Sequence, residues 1–266
     1  MLRKKLTDLI NNSVQDYMSR DDIATTFGTP IVGFADAWHP FIQSLRNHID
    51  ERHLVPQDVI PDAKTVICYF VPFTKELAKT NDPEDRLASA QWARAYEELN
   101  ALFAQLNQEI IDFLTENGFK AAVTEQATTF DQKKLVSLWS QRHFAYAAGL
   151  GTFGLNNMLI TAQGCCGRYS SVVTDMDVPH AGPLPEEHCL YKKNGSCMKC
   201  VEMCPAGALS PNGYDRQKCY AICQENALVH NSYGSSYDNG SGEANSVGSE
   251  VCGKCVTGAP CAFKGF

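Results

Sequence analysis

Cysteine placement constrains this chain more than any other feature. Of twelve cysteines in 266 residues, nine lie beyond residue 185, while residues 1 to 164 contain only Cys68. Cys197, Cys200 and Cys204, the last followed by Pro205, form C-x2-C-x3-C-P, the closing part of the run with which bacterial ferredoxins hold iron–sulfur clusters. Cys189 supplies the first cysteine, seven residues intervening before Cys197. A cubane needs four thiolates converging from different directions, and short C-x2-C turns present sulfurs on one side of a tight curl. The proline after the last cysteine turns the chain away and sends that sulfur to a neighbouring cluster. A second group is then required, and Cys219, Cys252, Cys255 and Cys261 provide it. The reading is two [4Fe–4S] clusters in crossed ligation: Cys189, Cys197, Cys200 and Cys261 on one, Cys204, Cys219, Cys252 and Cys255 on the other, with Cys223 spare. Two structural zinc sites are the alternative, because paired C-x2-C units also suit tetrahedral zinc. The Cys-Pro ending and the Ala206-Gly207-Ala208-Leu209 stretch after it favour iron.

Cysteines at this density fit metal binding in a reducing compartment better than structural disulfides. Met1 to Leu9 alternates charge and leucine and runs into Asn11-Asn12-Ser13, without the zones of a signal peptide, so a cytoplasmic protein is expected. No apolar run approaches the roughly 18 residues of a membrane span. The 23 basic and 30 acidic residues sum to −7, which offers no general field for a phosphate backbone. The expectation is no membrane and no nucleic-acid partner.

The composition changes near Pro179 to Pro185, which divides the chain into residues 1–180, mixed α and β, and a cysteine-rich segment 181–266. In the first, a helix is predicted over Leu2 to Met18, and strands over Ile31 to Ala35, Thr65 to Val71, Lys120 to Thr124, Met158 to Thr161 and Tyr169 to Thr174. Trp92, Tyr96, Leu99, Phe103, Leu106, Ile110 and Phe113 recur at helical intervals before Gly118, a stripe read as packing against a sheet. A second helix is predicted over Asp131 to Ala148. Residues 231–250, polar and glycine-rich, read as a long surface loop. Cys68 reads as a small core residue; the adjacent Cys165 and Cys166, in a glycine-rich turn, are harder to dismiss but read as unremarkable rather than catalytic thiols.

Ala148-Gly149-Leu150-Gly151-Thr152-Phe153-Gly154-Leu155-Asn156-Asn157-Met158-Leu159-Ile160, a strand ending Val173-Thr174-Asp175 and the Cys-Pro run resemble the epoxyqueuosine reductase family. Ile60 to Ile67 resembles that family's P-x-A-K-S-V-I strand, and Lys218-Cys219 its R-C-I-S-Y segment, so the likeness covers roughly residues 55 to 261. The resemblance implies an α+β architecture: a nitroreductase-like, cobalamin-binding α/β domain followed by a small ferredoxin-like double-cluster domain. It implies base-off cobalamin fed with electrons by the clusters. Gly149, Gly151 and Gly154 would let backbone approach the macrocycle or its phosphate tail, and Asn156, Asn157, Arg168 and Ser170 would pair with corrin amides or phosphate.

Departures from the family pattern set the remaining expectations. The family's aspartate, its supposed proton donor, falls by counting at Leu135; the role passes to Asp131, with Tyr146, His143 and Arg142 as further polar candidates. The family's Y-A-x-G-x-D-Y-H run is here Trp92 to Leu99, with Glu97 and Glu98. The sequence stops five residues after Cys261, where the family continues into a helical repeat that helps hold tRNA. The expected function is a cobalamin-dependent iron–sulfur reductase, supplied by a ferredoxin- or flavodoxin-type donor, acting on a small molecule or a corrinoid protein and not on tRNA. The alternatives are an electron-transfer protein serving a corrinoid partner, and epoxyqueuosine reduction itself.

Overall fold

The computed structural model describes residues 2–82, 84–124, 130–131, 133–234 and 248–266, and most of the loop expected over 231–250 lies outside them. Helix α1 (Leu2–Met18) leads into β1 (Ile31–Asp36). Short helices α2 (Pro40–Gln43), α3 (Leu45–His48) and α4 (Pro56–Val59) precede β2 (Thr65–Pro72), and α5 (Lys75–Thr80) follows it. Every residue of β2 is buried, as happens when a strand is covered on both faces. It lies inside a four-stranded antiparallel sheet of order β1-β2-β8-β3, with β3 at Ala121–Ala122 and β8 at Gly167–Thr174. Register is fixed by pairs such as Phe34↔Ile67 and Ile67↔Val172.

Side chains alternate across that strand into two cores. Ile67, Tyr69 and Val71 pack with α1 and α6 (Ala90–Glu116), while Val66, Cys68 and Phe70 pack with Trp139 and Phe144 on the other face. The aromatic stripe of α6 meets the sheet as read: Trp92, Leu99, Phe103, Leu106 and Ile110 are buried, each leucine worth about 1.5–3 kcal/mol. The Ser89 hydroxyl caps the helix by accepting from the Trp92 amide at 3.0 Å. Gly118, at φ +84°, ends it.

The helix expected over Asp131 to Ala148 is a correction. Only α7 (Gln141–Ala147) is helical, preceded by a small hairpin of β4 (Phe130–Asp131) and β5 (Val136–Ser137). The Asp131 carboxylate accepts from the amides of Lys133 and Lys134 at 3.0 and 2.9 Å, offering the backbone a local alternative to helix. Leu135, at φ +53°, completes the turn. Beyond α7, β6 (Gly151–Phe153) and β7 (Leu159–Thr161) form a second hairpin.

The cysteine-rich segment contains α8 (Leu190–Asn194), α9 (Lys199–Glu202), a β9 (Leu209–Ser210) and β10 (Gly213–Tyr214) hairpin, α10 (Arg216–Val229), α11 (Lys254–Thr257) and a 3-10 turn at Pro260–Ala262. It is fastened to the sheet region through polar contacts. Asn81 Nδ2 donates to the Cys252 carbonyl at 2.8 Å, and Asn226 Oδ1 accepts from the Ala88 amide at 2.7 Å. Among the described residues, no helix is long and apolar enough to cross a membrane.

Candidate metal centre

Cys189, at the start of α8, Cys197, Cys200 in α9 and Cys261 in the 3-10 turn line one small cavity of about 20 Å³ together with Leu155, Asn156, Ile160, Leu190, Ala259, Pro260 and Phe266. Three separate stretches of chain thus bring four sulfurs to one largely apolar space. Burial, with Cys261, Cys189 and Cys197 as neighbours, pushes the Cys200 thiol up to about 12. Sulfurs gathered this closely suit a metal centre, whose positive charge would offset thiolate charge among them. Among the described residues, no three His, Cys, Asp or Glu side chains are arranged to hold a single metal ion.

The other four cysteines also face one another. Burial raises the Cys255 thiol, and Cys252, Cys219 and Cys204 raise it further; Cys252 is pushed up to about 11 for the same reason. Cys219 instead falls to about 6, because the Cys223 thiol and the Tyr214 hydroxyl hydrogen-bond to it and Arg142 lies near. Cys219 and Cys223 are one turn apart on α10, the spacing that lets side chains meet. Two buried groups at this site favour negative charge. Lys254 is fully buried, its Nζ donating to the Asp82 carbonyl at 2.5 Å. The Trp92 indole Nε1 is buried without a partner, and a Cβ added at Gly253, between Cys252 and Lys254, would lie 2.5 Å from it. An orphaned N–H against a cysteine loop is a donor awaiting an acceptor, and cluster sulfur fits that role.

The glycine run is occupied by its own backbone. A Cβ at Gly151 would meet the Ile160 carbonyl oxygen at 2.2 Å across the hairpin, and one at Gly149 the Gly182 oxygen at 2.5 Å. Gly154 is crowded by Asn156 and Ile160. Asn157, at φ +60°, offers its carbonyl to Arg142 Nη1 at 2.5 Å. The Arg168 guanidinium stacks 3.8 Å over the Tyr96 ring and bonds Asn100, and Ser170 bonds Asn107 at 3.1 Å. Asn156 lines the first cysteine cavity. These residues are engaged in a tight hairpin and in the interior strand β8.

Of the acid–base candidates, Asp131 is held below the usual carboxylate range by the Lys134 amide and the Arg52 guanidinium, so it stays ionised and shapes the turn. His143, bonded to Ser140 Oγ at 2.6 Å, is pulled down to about 4 by burial and by Arg142. Tyr146 lies against the Phe41 and Phe153 rings. An open cleft of about 560 Å³ borders the 131–136 turn, walled by Arg46, Asn47, Ile49, Asp50, Glu51, Lys134, Val136 and Arg216. Sequence reading missed this cleft and the Trp92 N–H. Clustered basic residues near Arg46 and Lys134 were its only signal; Trp92 sat in a stripe explained by packing alone.

An antiparallel sheet packed with helices, with four cysteines from separate stretches lining one cavity beside it, defines the class as a mixed α/β protein with a candidate metal centre. Within that class the chain is epoxyqueuosine-reductase-like. It is 26% identical over 232 residues to an epoxyqueuosine reductase of Bacillus cereus, covering 78% of this chain and 56% of that protein. One from Leadbetterella byssophila is 25% identical over 188 residues, covering 68% and 55%. The chain thus spans about half the length of these curated relatives. Among solved structures, a selenomethionine-labelled epoxyqueuosine reductase matches 98% of this chain and 68% of its own, with TM-score 0.54 and 18% identity. A Bacillus subtilis epoxyqueuosine reductase whose catalytic aspartate loop is swung out of its active site has the same TM-score at 17% identity, as does an epoxyqueuosine reductase with an epoxyqueuosine-modified tRNA stem loop. No protein-family model matches the chain.

Proposed function

We propose that this protein is an oxidoreductase of the epoxyqueuosine reductase type, acting on tRNA. This corrects the expectation of a non-tRNA substrate and of no nucleic-acid partner, since the relatives carry the epoxyqueuosine activity by name and one structural neighbour holds a tRNA stem loop. The charge argument failed because −7 is a sum over the chain, whereas a phosphate meets a local field. Arg46, Lys134 and Arg216 line one cleft with Asp50 and Glu51, Lys134 paired to Asp50 and Arg46 to Asp58, and that cleft is where we put the RNA.

The observation that carries this reading is the convergence of Cys189, Cys197, Cys200 and Cys261 on one apolar cavity in a chain of this fold. We assign that cavity to one [4Fe–4S] cluster and Cys204, Cys219, Cys252 and Cys255 to a second, with the chain divided near residue 180 into a nitroreductase-like and a ferredoxin-like part. When bound, the clusters supply low-potential single electrons; removing an epoxide oxygen as water consumes two electrons and two protons. The apolar walls of the first cavity exclude water, and Lys254 and Trp92 Nε1 stabilise negative charge at the second. Asp131 positions the turn beside the cleft, and Tyr146, one turn of α7 beyond Arg142, is the proton source we assign. Cobalamin is implied by the family likeness alone: Gly149, Gly151, Gly154, Asn157, Arg168 and Ser170 are engaged within the fold, and we assign no residue to hold it.

The test is anaerobic reconstitution with iron and sulfide, then incubation with cobalamin, a strong reductant and an epoxyqueuosine-containing anticodon stem loop. Queuosine formation well above free cobalamin is the expected result. Reducible clusters with no conversion and no RNA binding would overturn the assignment.

A further inference from the structure

The first cysteine cavity has a fifth thiol beside it that no ligand count requires. Cys165 is fully buried just before β8. Its amide donates to the Cys261 carbonyl at 2.9 Å, and the next amide, of Cys166, to the Ala262 carbonyl at 3.0 Å, a short ladder that holds the 3-10 turn against the sheet end. Gly164 makes the approach possible, since a Cβ there would meet the Ala262 oxygen at 2.2 Å. The ladder brings Cys165 Sγ to 3.9 Å from Cys261 Sγ.

Asn156 fixes which way the proton of this pair points. Its Oδ1 accepts from the Met158 amide at 3.1 Å, which orients the side-chain amide. Its Nδ2 then faces Cys165 Sγ at 3.6 Å and the Cys255 carbonyl at 3.4 Å. Cys165 Sγ therefore receives a hydrogen bond from one side and has a single proton of its own to give. A ligand cysteine is a thiolate with no proton, so Cys261 can only accept.

We infer that Cys165 is a non-ligating thiol that donates an S–H···S hydrogen bond to the Cys261 ligand sulfur, is oriented by Asn156, and raises the reduction potential of that cluster. The inference rests on the assignment of Cys261 as a cluster ligand. A hydrogen bond to a ligand sulfur offsets negative charge, and the reduced cluster is more negative than the oxidised one, so the bond favours reduction. Cys165 is thus a positioning and tuning residue, and its effect is read at the cluster.

The full chain, anaerobically reconstituted, is compared as wild type, Cys165→Ala, Cys165→Ser and the neighbouring control Cys166→Ala, with iron and sulfide content measured and each cluster titrated by EPR-monitored reduction. Cys165→Ala should keep wild-type iron and sulfide while the reduction equilibrium of one cluster falls about tenfold, about 59 mV for one electron. The other cluster should not move, and Cys165→Ser, whose hydroxyl still donates, should recover most of the shift. An unchanged midpoint in Cys165→Ala overturns the inference, as does an equal shift in Cys166→Ala. Loss of half the iron and sulfide in both Cys165 variants would make Cys165 a ligand, which also overturns it. Wild-type protein that takes up no iron or sulfide would defeat the cluster assignment itself, seen before any variant is made, and the inference would fall with it.

Discussion

Cys189, Cys197, Cys200 and Cys261 look into a cavity walled by Leu155, Ile160, Leu190 and Phe266, and among the described residues no lysine or arginine lines it. Around Cys204, Cys219, Cys252 and Cys255 stand the Tyr214 hydroxyl, Arg142, the buried Lys254 and the unpartnered Trp92 N–H. Low dielectric without cations resists added negative charge, while buried cations and donors welcome it. If each set holds a cluster as proposed, the two clusters should differ in potential, the second being the easier to reduce.

The largest effect that could break this comparison is loss of one site without the other. About eight iron and eight sulfide are expected per chain, and Cys200→Ala and Cys255→Ala should each leave about half. A variant that loses everything would mean one shared centre. Next in size is Gly151→Val, which drives a side chain into the Ile160 carbonyl; a loss of about 1–3 kcal/mol or more in denaturant unfolding is expected. If Gly151→Val unfolds like wild type, the hairpin account of the glycine run is wrong.

Lys254→Met removes one buried cation from the second site while filling its volume. The second midpoint should fall by about 59 mV, a tenfold shift, with the first unmoved. Equal shifts at both would erase the contrast. The smallest effect is pH-linked. Because burial holds His143 at about 4, against an ordinary value of 6.5, the folded chain keeps it neutral where the unfolded chain takes up a proton. Its contribution is full above about pH 6.5 and is lost as pH falls toward about 4. Acid unfolding of His143→Gln should show a flatter slope across that window, with the cysteine sites unaffected.

Strong periodicity and ligand spacing were legible in the sequence. Helix α1, β2 and the α6 stripe stand where apolar repeats put them, because burial on one or two faces leaves a periodic trace. The convergence of Cys189, Cys197, Cys200 and Cys261 on one cavity was legible because short fixed spacings bring sulfurs together whatever the rest of the chain does. The Asp131 to Val136 hairpin was not, since a side-chain bond from Asp131 to two amides overrode a plausible helical pattern. Nor was the use of the glycines, which have one composition whether they make room for a ligand or for Ile160. Tyr96 and Trp92 looked alike in the stripe, yet one stacks under Arg168 and the other faces the Cys252 loop.

The central claim is that two four-cysteine sites are wired across the sequence, with Cys204 serving the group that does not include its neighbours Cys197 and Cys200. EPR of dithionite-reduced, reconstituted Cys204→Ala measures this most directly when set against Cys255→Ala and Cys200→Ala. The account expects the cluster remaining in Cys204→Ala to match the one remaining in Cys255→Ala, with the lower of the two potentials. A Cys204→Ala spectrum that matches Cys200→Ala instead would contradict it.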